Sequence, residues 1–133
     1  MTEQELNRVR ELSTRIKAVE NHLAELRKHA EDITSQNDGM PHASTIQSKV
    51  ESLALKIIES GRELESLHDR IIKATAQLTG DICRVVSDPQ ERTVVILRYI
   101  SCLHFRDICA QLGKSDARVY QLHRAALLKI LAD

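Results

Sequence analysis

Two long heptad patterns limit what this chain can fold into more than any other feature of its sequence. Apolar residues recur at alternating steps of three and four through residues 6–33 and again through residues 46–78. This spacing is typical of a coiled-coil seam, which is narrower than the apolar face of a globular helix. Between the two patterns, Asn37-Asp38-Gly39 and Pro41 favour a turn. We therefore predict two long helices that fold back on each other as an antiparallel hairpin.

The apolar residues of the second helix exceed what one seam can use. Leu55, Ile58 and Ile72 lie off the heptad positions. They predict that a second hairpin packs on the first, so that a homodimer forms a four-helix bundle. The alternative is that they pack on C-terminal helices of the same chain. The seam itself is predicted to contain Leu12, Ile16, Val19, Leu23, Leu53, Ile57, Leu64, Leu67 and Ile71.

Composition favours an all-α protein. The 133 residues include 29% charged and only 2% aromatic side chains, with four Gly and two Pro, which is typical of long helices and leaves little material for a loop-rich or all-β fold. No apolar run reaches the length of a membrane span, and the first residues lack the apolar core of a signal peptide. We expect a protein of the bacterial host cytoplasm with no membrane partner.

Neither a metal site nor a catalytic site is predicted. Cys83, Cys102 and Cys109 are odd in number and match no C-x-x-C pair, so reduced thiols are favoured over a disulfide framework. Cys102, His104 and Cys109 could suggest a metal, but structural zinc uses four ligands, usually in close pairs. The chain has no glycine-rich phosphate loop, no H-E-x-x-H and no nucleophile elbow. We therefore expect no enzyme activity and no cofactor.

The C-terminal segment 92–130 predicts three short helices, the last two joined by a tight turn. Within Leu112-Gly113-Lys114-Ser115, the glycine can end one helix in a left-handed conformation, and the serine can cap the next. Upstream, Asp88-Pro89-Gln90-Glu91 predicts a helix start with a capping box. A break or kink is expected at Gly80-Asp81. This pattern favours a helix-turn-helix, whose second helix enters the DNA major groove.

The stretch RYISCLHFRDICAQLGKSDARVYQLHRAALLKI resembles region four of bacterial sigma factors. It is most similar to short phage-encoded regulators of late operons, which carry such a region after a helical N-terminus. The resemblance implies that residues just after the turn read DNA bases, here Asp116, Ala117, Tyr120 and Gln121. Primary sigma factors usually have glutamate at the position of Ala117 and arginine at those of Asp116 and Tyr120, so this departure indicates another DNA sequence. The resemblance also implies RNA polymerase as a further partner.

Positive charge accompanies the predicted recognition helix. Residues 92–132 hold 7 Lys or Arg against 2 Asp or Glu, a net charge of +5, whereas the whole chain is neutral. Phosphate neutralisation supplies most of the affinity for DNA. The residues predicted to contact phosphates are Arg106, Lys114, Ser115, Arg118 and Arg124, with Lys129 as a weaker candidate.

Further expectations concern His123, Arg98, Tyr99 and Asp116. His123 is expected to face outward with the reading residues. Arg98 is expected to pair with an acid, and Tyr99 to pack beneath the turn. For Asp116, stabilisation of the helix dipole is as strong an interpretation as pairing with cytosine.

These observations predict a hairpin for dimerisation over residues 1–80 and a DNA-binding helix-turn-helix domain over residues 81–133. The function they favour is sequence-specific regulation of transcription in a phage or prophage, with double-stranded DNA and a second copy of the chain as partners. One alternative is a DNA-packaging subunit like the small terminases, which also join such a motif to oligomerisation helices. Another is an adaptor that grips RNA polymerase without a DNA site of its own.

Overall fold

The computed structural model describes residues 1–35 and 43–132, and within these ranges the chain is entirely helical outside its short connections. Five helices follow in order: α1 (Glu3–Ser35), α2 (Ala43–Val85), α3 (Pro89–Tyr99), α4 (Phe105–Leu112) and α5 (Asp116–Leu131). The predicted all-α class is confirmed. The predicted turn at Asn37-Asp38-Gly39 and Pro41 lies outside the described residues.

The ends of the helices follow from local capping chemistry. At the start of α1, the Thr2 backbone N–H donates to the Glu5 carboxylate at 2.9 Å, and the Glu5 N–H donates to the Thr2 hydroxyl at 3.2 Å. These reciprocal bonds form a capping box. Asp88 caps α3 by accepting from the N–H groups of Gln90 and Glu91, and Pro89 opens that helix. Capping therefore sets where α1 and α3 begin, and Asp88 and Pro89 take the positions predicted for them.

The helix α2 continues through Gly80 and ends at Val85. The break expected at Gly80-Asp81 is therefore absent, because a single glycine costs a helix only about 1 kcal/mol and the apolar residues that follow it are well buried. Ile82 and Val86 are both fully buried. The chain then leaves α2 and enters α3 within three residues.

The described chain forms two compact units. One consists of residues 14–69, and the other of residues 1–13 together with 70–133. The division of roles between residues 1–80 and 81–133 stays a prediction.

In the unit of residues 14–69, parts of α1 and α2 lie side by side. Arg15 forms an ion pair with Glu63, and Glu20 lies 3.9 Å from the His68 ring. Apolar heptad residues of α1 are almost completely buried here, whereas those of α2 are more accessible. Buried seam residues are Ile16, Val19, Leu23 and Leu67, and half-buried ones are Leu53, Ile57 and Leu64.

The other unit has two apolar cores. In the first, Leu6 and Val9 of α1 pack with Ile82 and Val86 and with residues of α3 and α5. Leu12 of the predicted seam is also buried in this unit, and Ile71 is half-buried. The second core joins α3, α4 and α5 through Val94, Ile108, Val119 and Leu122. The two cores hold opposite ends of α5 in place, which determines which of its side chains remain exposed.

Candidate nucleic-acid interface

The turn between α4 and α5 has the geometry that its sequence predicts. Gly113 ends α4 with a φ of 64°, and the Lys114 N–H donates to the Cys109 carbonyl at 3.2 Å. A left-handed residue at this position suits glycine, which has no Cβ to clash. The Ser115 hydroxyl then accepts from the Arg118 N–H at 3.2 Å and caps α5. The direction of α5 is therefore set within three residues.

One side of α5 is buried and the other is exposed. Val119, Leu122, Ala126 and Ile130 face the two cores. The four predicted base-reading residues are all exposed, with Tyr120 at 52%. Of the predicted phosphate contacts, Lys114 is half-buried, and Arg106, Ser115, Arg118 and Arg124 are exposed. The helix thus presents a polar, cationic face to solvent, while its apolar face holds it to α3 and α4.

Arg118 is the centre of a polar network on this face. Its guanidinium donates to the Gln121 side-chain oxygen at 2.9 Å and to the Gln90 side-chain oxygen at 3.1 Å. The bond to Gln121 directs the amide nitrogen of that side chain away from Arg118, where it can donate to an acceptor on a base edge. Gln90 belongs to the first turn of α3 and was not predicted as a site residue. Its proximity depends on how α3 crosses α5, which local sequence does not indicate.

The aromatic residues form a cluster beneath the same face. Phe105 packs against Tyr120, with 4.7 Å between ring centroids, and against His123 at 4.9 Å. The Arg98 guanidinium lies 4.5 Å from the centre of the Phe105 ring and donates to the Leu103 carbonyl at 2.9 Å. Arg98 was predicted to pair with an acid, but a carbonyl and an aromatic ring take that place. Phe105 therefore supports the Tyr120 ring on the side that faces the protein.

Two further expectations are corrected. His123 was expected to face outward, but it is half-buried and shares a hydrogen bond of 2.8 Å with the Tyr99 hydroxyl. Tyr99 itself is buried in the first core, not beneath the turn. Its position follows from the register of α3, in which its ring points toward α5 and its hydroxyl needs a polar partner.

The contacts of Lys129 and Glu91 also differ from those that the sequence predicts. The Lys129 ammonium donates to the Glu91 carboxylate at 2.7 Å, and only 12% of the Glu91 side chain is exposed. Glu91 therefore binds α5 and does not close a capping box at the start of α3. Lys129 is therefore engaged in holding α3 and α5 together.

Asp116 lies close to the Cys109 thiol, and this position indicates its role. Desolvation raises the pKa of the Cys109 thiol, and the Asp116 carboxylate raises it further through a hydrogen bond and through its negative charge. The carboxylate therefore lies beside the end of α4, at the N-terminus of α5. This placement favours a structural role, in which Asp116 stabilises the helix dipole, over pairing with a cytosine.

Among known families, one sequence model matches residues 43–131, well over half of the chain, and its description is a protein of unknown function, DUF1492. The chain belongs to the DUF1492 family. No curated protein and no solved structure matches it. The match covers α2 from its start and all of α3, α4 and α5, so the candidate interface lies entirely within the DUF1492 region.

The described part of this DUF1492 chain has no cluster of three or more His, Cys, Asp or Glu residues placed to hold a metal ion. None of the described helices is both long enough and apolar enough to cross a membrane. The three cysteines are free thiols.

Removing the Lys129 ammonium should test the structural role of its ion pair. We expect Lys129→Met to lower the free energy of unfolding by about 1–3 kcal/mol, because the largely buried Glu91 carboxylate loses its charged partner. Chemical denaturation measures this loss. Lys73→Met, at an exposed position of α2, is the matched control and should change stability little. An equal effect of both substitutions would contradict a specific ion pair.

Stability should also fall in mild acid because of His123. Burial lowers the pKa of His123 below its ordinary value, and the Arg98 charge lowers it further. Between the folded pKa and the unfolded value near 6.5, the unfolded chain binds more protons, so stability is lost as pH falls below about 6.5. Urea denaturation at about pH 7.5 and about pH 5.5 should show a smaller loss for His123→Gln than for wild type. His22→Gln, at an exposed position of α1, should keep the wild-type loss.

Proposed function

We propose that this protein is a sequence-specific DNA-binding regulator of transcription, of phage or prophage origin, that acts as a homodimer. In this proposal α4, the turn at Gly113 and α5 form a helix-turn-helix, and α1 and α2 form an antiparallel coiled-coil hairpin. The observation that carries the proposal is the exposed polar face of α5, which contains Arg118, Gln121 and Arg124. These three side chains lie outside the two apolar cores. Resemblance to sigma region four supplies the expectation of DNA as the ligand.

The chemistry of this face suits duplex DNA. Arg118 and Arg124 are six residues apart on one helix, so they can reach phosphates along a groove whose centre α5 occupies. Gln121 and Tyr120 lie between them, where a base-edge donor and an apolar ring are useful for reading. Arg106 in the first turn of α4 is exposed and can contact the backbone beside the groove.

The direct test is footprinting of the purified protein on DNA from either side of its own gene. We expect one protected site at moderate salt, and the absence of any protected site would contradict sequence-specific binding. A mass measurement separates this proposal from its rivals. A dimer supports regulation, whereas a ring of many subunits would indicate a packaging role. Co-purification of RNA polymerase without any DNA binding would indicate an adaptor.

Replacement of Gln121 should change specificity more than affinity. We expect Gln121→Ala to lose roughly 1–3 kcal/mol of discrimination at one base pair while binding to other sequences changes little. Competition with operator variants substituted at each position measures this loss. Gln111→Ala, at an exposed position of α4, is the control and should leave discrimination intact. A loss spread evenly over all positions would contradict a base contact by Gln121.

A further inference from the structure

One side of α2 carries apolar residues that remain exposed among the residues that the structure describes. Leu55 is 62% exposed and Ile58 is 51% exposed. Glu51 and Arg62 are exposed one turn to either side of them. Steps of four, three and four place these four residues on one line along the helix. We refer to this line, Glu51, Leu55, Ile58 and Arg62, as the outer stripe, and it lies wholly within the unit of residues 14–69.

The outer stripe faces away from the seam. At about 100° per residue, its centre lies on the opposite side of α2 from Leu53, Ile57 and Leu64, which are half-buried within the chain. The exposed apolar side chains are therefore not an extension of the intrachain packing. Isolated exposed leucines are ordinary, but two large aliphatic residues between two opposite charges have the pattern of a coiled-coil contact.

We propose that the outer stripe binds the outer stripe of a second copy of this chain, with the two α2 helices antiparallel. The two-fold axis passes between Leu55 and Ile58. Each Leu55 then packs against the partner's Ile58, and each Glu51 faces the partner's Arg62. Such a contact is isologous, since the same patch serves both copies. The inference rests on the proposed homodimer and is independent of DNA binding.

Charge selects the antiparallel direction. In a parallel pairing in register, Glu51 would face Glu51 and Arg62 would face Arg62, and such juxtaposed like charges are unfavourable. In the antiparallel pairing the same residues form two identical opposite-charge pairs that flank the apolar centre. The Gln47 amide contacts the Glu51 carboxylate at 3.5 Å, the limit of a hydrogen bond, so the carboxylate has acceptor sites left for an arginine.

Apolar matching selects the register. Moving the two-fold axis along α2 until Arg62 faces Glu65 also pairs opposite charges and sets Leu55 against Ile72, but it sets Ile58 against Asp69. That register would place a carboxylate on an aliphatic side chain at the contact and would desolvate it without a partner. The register centred between Leu55 and Ile58 sets apolar residues against each other and leaves no charge unmatched among the four residues of the outer stripe.

This pairing changes the expected shape of the dimer. In a four-helix bundle, the seam residues of both hairpins are buried together in one common core. In the unit of residues 14–69, Ile16, Val19 and Leu23 of α1 are already buried. In the proposed contact the two units of residues 14–69 therefore lie side by side through α2, with the α1 residues of each unit on the far side of its own α2.

Charge reversal tests the pairing in the full-length protein. Glu51→Arg and Arg62→Glu, each alone, should raise the dimer dissociation constant about tenfold or more, because each places two pairs of like charges at the contact. The double variant Glu51→Arg/Arg62→Glu should recover most of the wild-type affinity. Sedimentation equilibrium measures the constants, and circular dichroism checks that each variant keeps its helices. Arg27→Glu, at an exposed position of α1, is the matched control and should not change dimerisation.

Cysteine cross-linking tests the direction. In a background with the exposed Cys83 replaced by serine, chains carrying Glu51→Cys and chains carrying Arg62→Cys should form a disulfide only when mixed. Each variant alone should not cross-link, since its two cysteines would be separated by 11 residues of helix, on the order of 16 Å. Cross-linking of each variant alone, without the mixed product, would show a parallel pairing and overturn the proposal.

The outcomes separate this inference from the proposed function. A monomeric wild-type protein would overturn both the outer-stripe contact and the homodimer. A dimer insensitive to both single reversals would overturn the outer-stripe contact alone. Footprinting with the double charge-swap variant reports on DNA binding separately, because both substitutions belong to the unit of residues 14–69 and α5 belongs to the other unit. Loss of DNA binding by an intact wild-type dimer would contradict only the DNA-binding proposal.

Discussion

Leu6→Ala is expected to destabilise the unit of residues 1–13 and 70–133 by about 2–5 kcal/mol, the usual cost of truncating a fully buried leucine. Leu6 lies in the first turn of α1 and is only 2% exposed. Its side chain belongs to the same apolar core as Ile82, Val95 and Ile130. The space left by its truncation would be lined by residues of several helices, which cannot all shift to fill it. Urea denaturation followed by circular dichroism gives the loss.

The comparison that makes this result informative is Leu128→Ala. Leu128 lies on α5 and is 68% exposed, so the same truncation should change stability by less than about 0.5 kcal/mol. If both variants lost equal stability, the loss in Leu6→Ala would not be specific to packing in the core. If Leu6→Ala were neutral, the first turns of α1 would not be part of the core that holds α5.

Structural features that depend on local chemistry could be predicted from the sequence. Asp88-Pro89 starts α3 by a mechanism confined to four residues. Gly113 and Ser115 end one helix and begin the next for similarly local reasons. The 3.6-residue periodicity of Val119, Leu122 and later residues of α5 correctly identified its buried side, and of the residues predicted on the exposed side only His123 is half-buried. Such features depend only on neighbours in the chain, so the sequence contains them directly.

Contacts between segments that are distant in the chain could not be predicted from the sequence. Nothing near Leu6 indicates that its partners are Ile82 and Ile130, because Leu6 begins a heptad pattern that continues along α1 without a change at the residues after it. The same reason explains why Gln90 was missed as a neighbour of Arg118. Each of these contacts joins residues of separate helices, and their proximity depends on crossing geometry that periodicity cannot supply.

Polar residues at packed surfaces were the hardest to place. His123 has a polar ring and a spacing suitable for a DNA-facing residue, yet it forms a hydrogen bond with Tyr99 and packs against Phe105. Lys129 resembled a phosphate contact, but Glu91 holds it. A buried polar group requires a partner, and the sequence shows only that a candidate partner exists somewhere in the chain. After these corrections fewer exposed residues of α5 remain as candidates for DNA contact, and Arg118 is central among them.

Arg118→Ala is therefore expected to weaken DNA binding more than any other single substitution on α5, by about tenfold to a hundredfold, the range for loss of charged hydrogen bonds. The substitution removes a phosphate contact under the proposed function, and it also removes the group that holds Gln121 and Gln90. The first effect should reduce affinity for all sequences. It should also make the dependence of log affinity on log salt shallower by about 0.9. The second should reduce discrimination at the base that Gln121 reads.

Two controls separate these effects. Gln90→Ala removes a neighbour of Arg118 but no charge, so it should lower affinity modestly and leave the salt dependence unchanged, because no phosphate contact is lost. Arg27→Ala removes a cation from an exposed position of α1 and should change neither quantity. Equilibrium gel-shift titrations over a series of salt concentrations give both the affinity and the slope. If Arg118→Ala left the slope as in wild type, Arg118 would not neutralise a phosphate, and its role would be limited to orienting Gln121. If Arg27→Ala reduced the slope equally, DNA would bind along α1 and the assignment of the interface to α5 would be wrong.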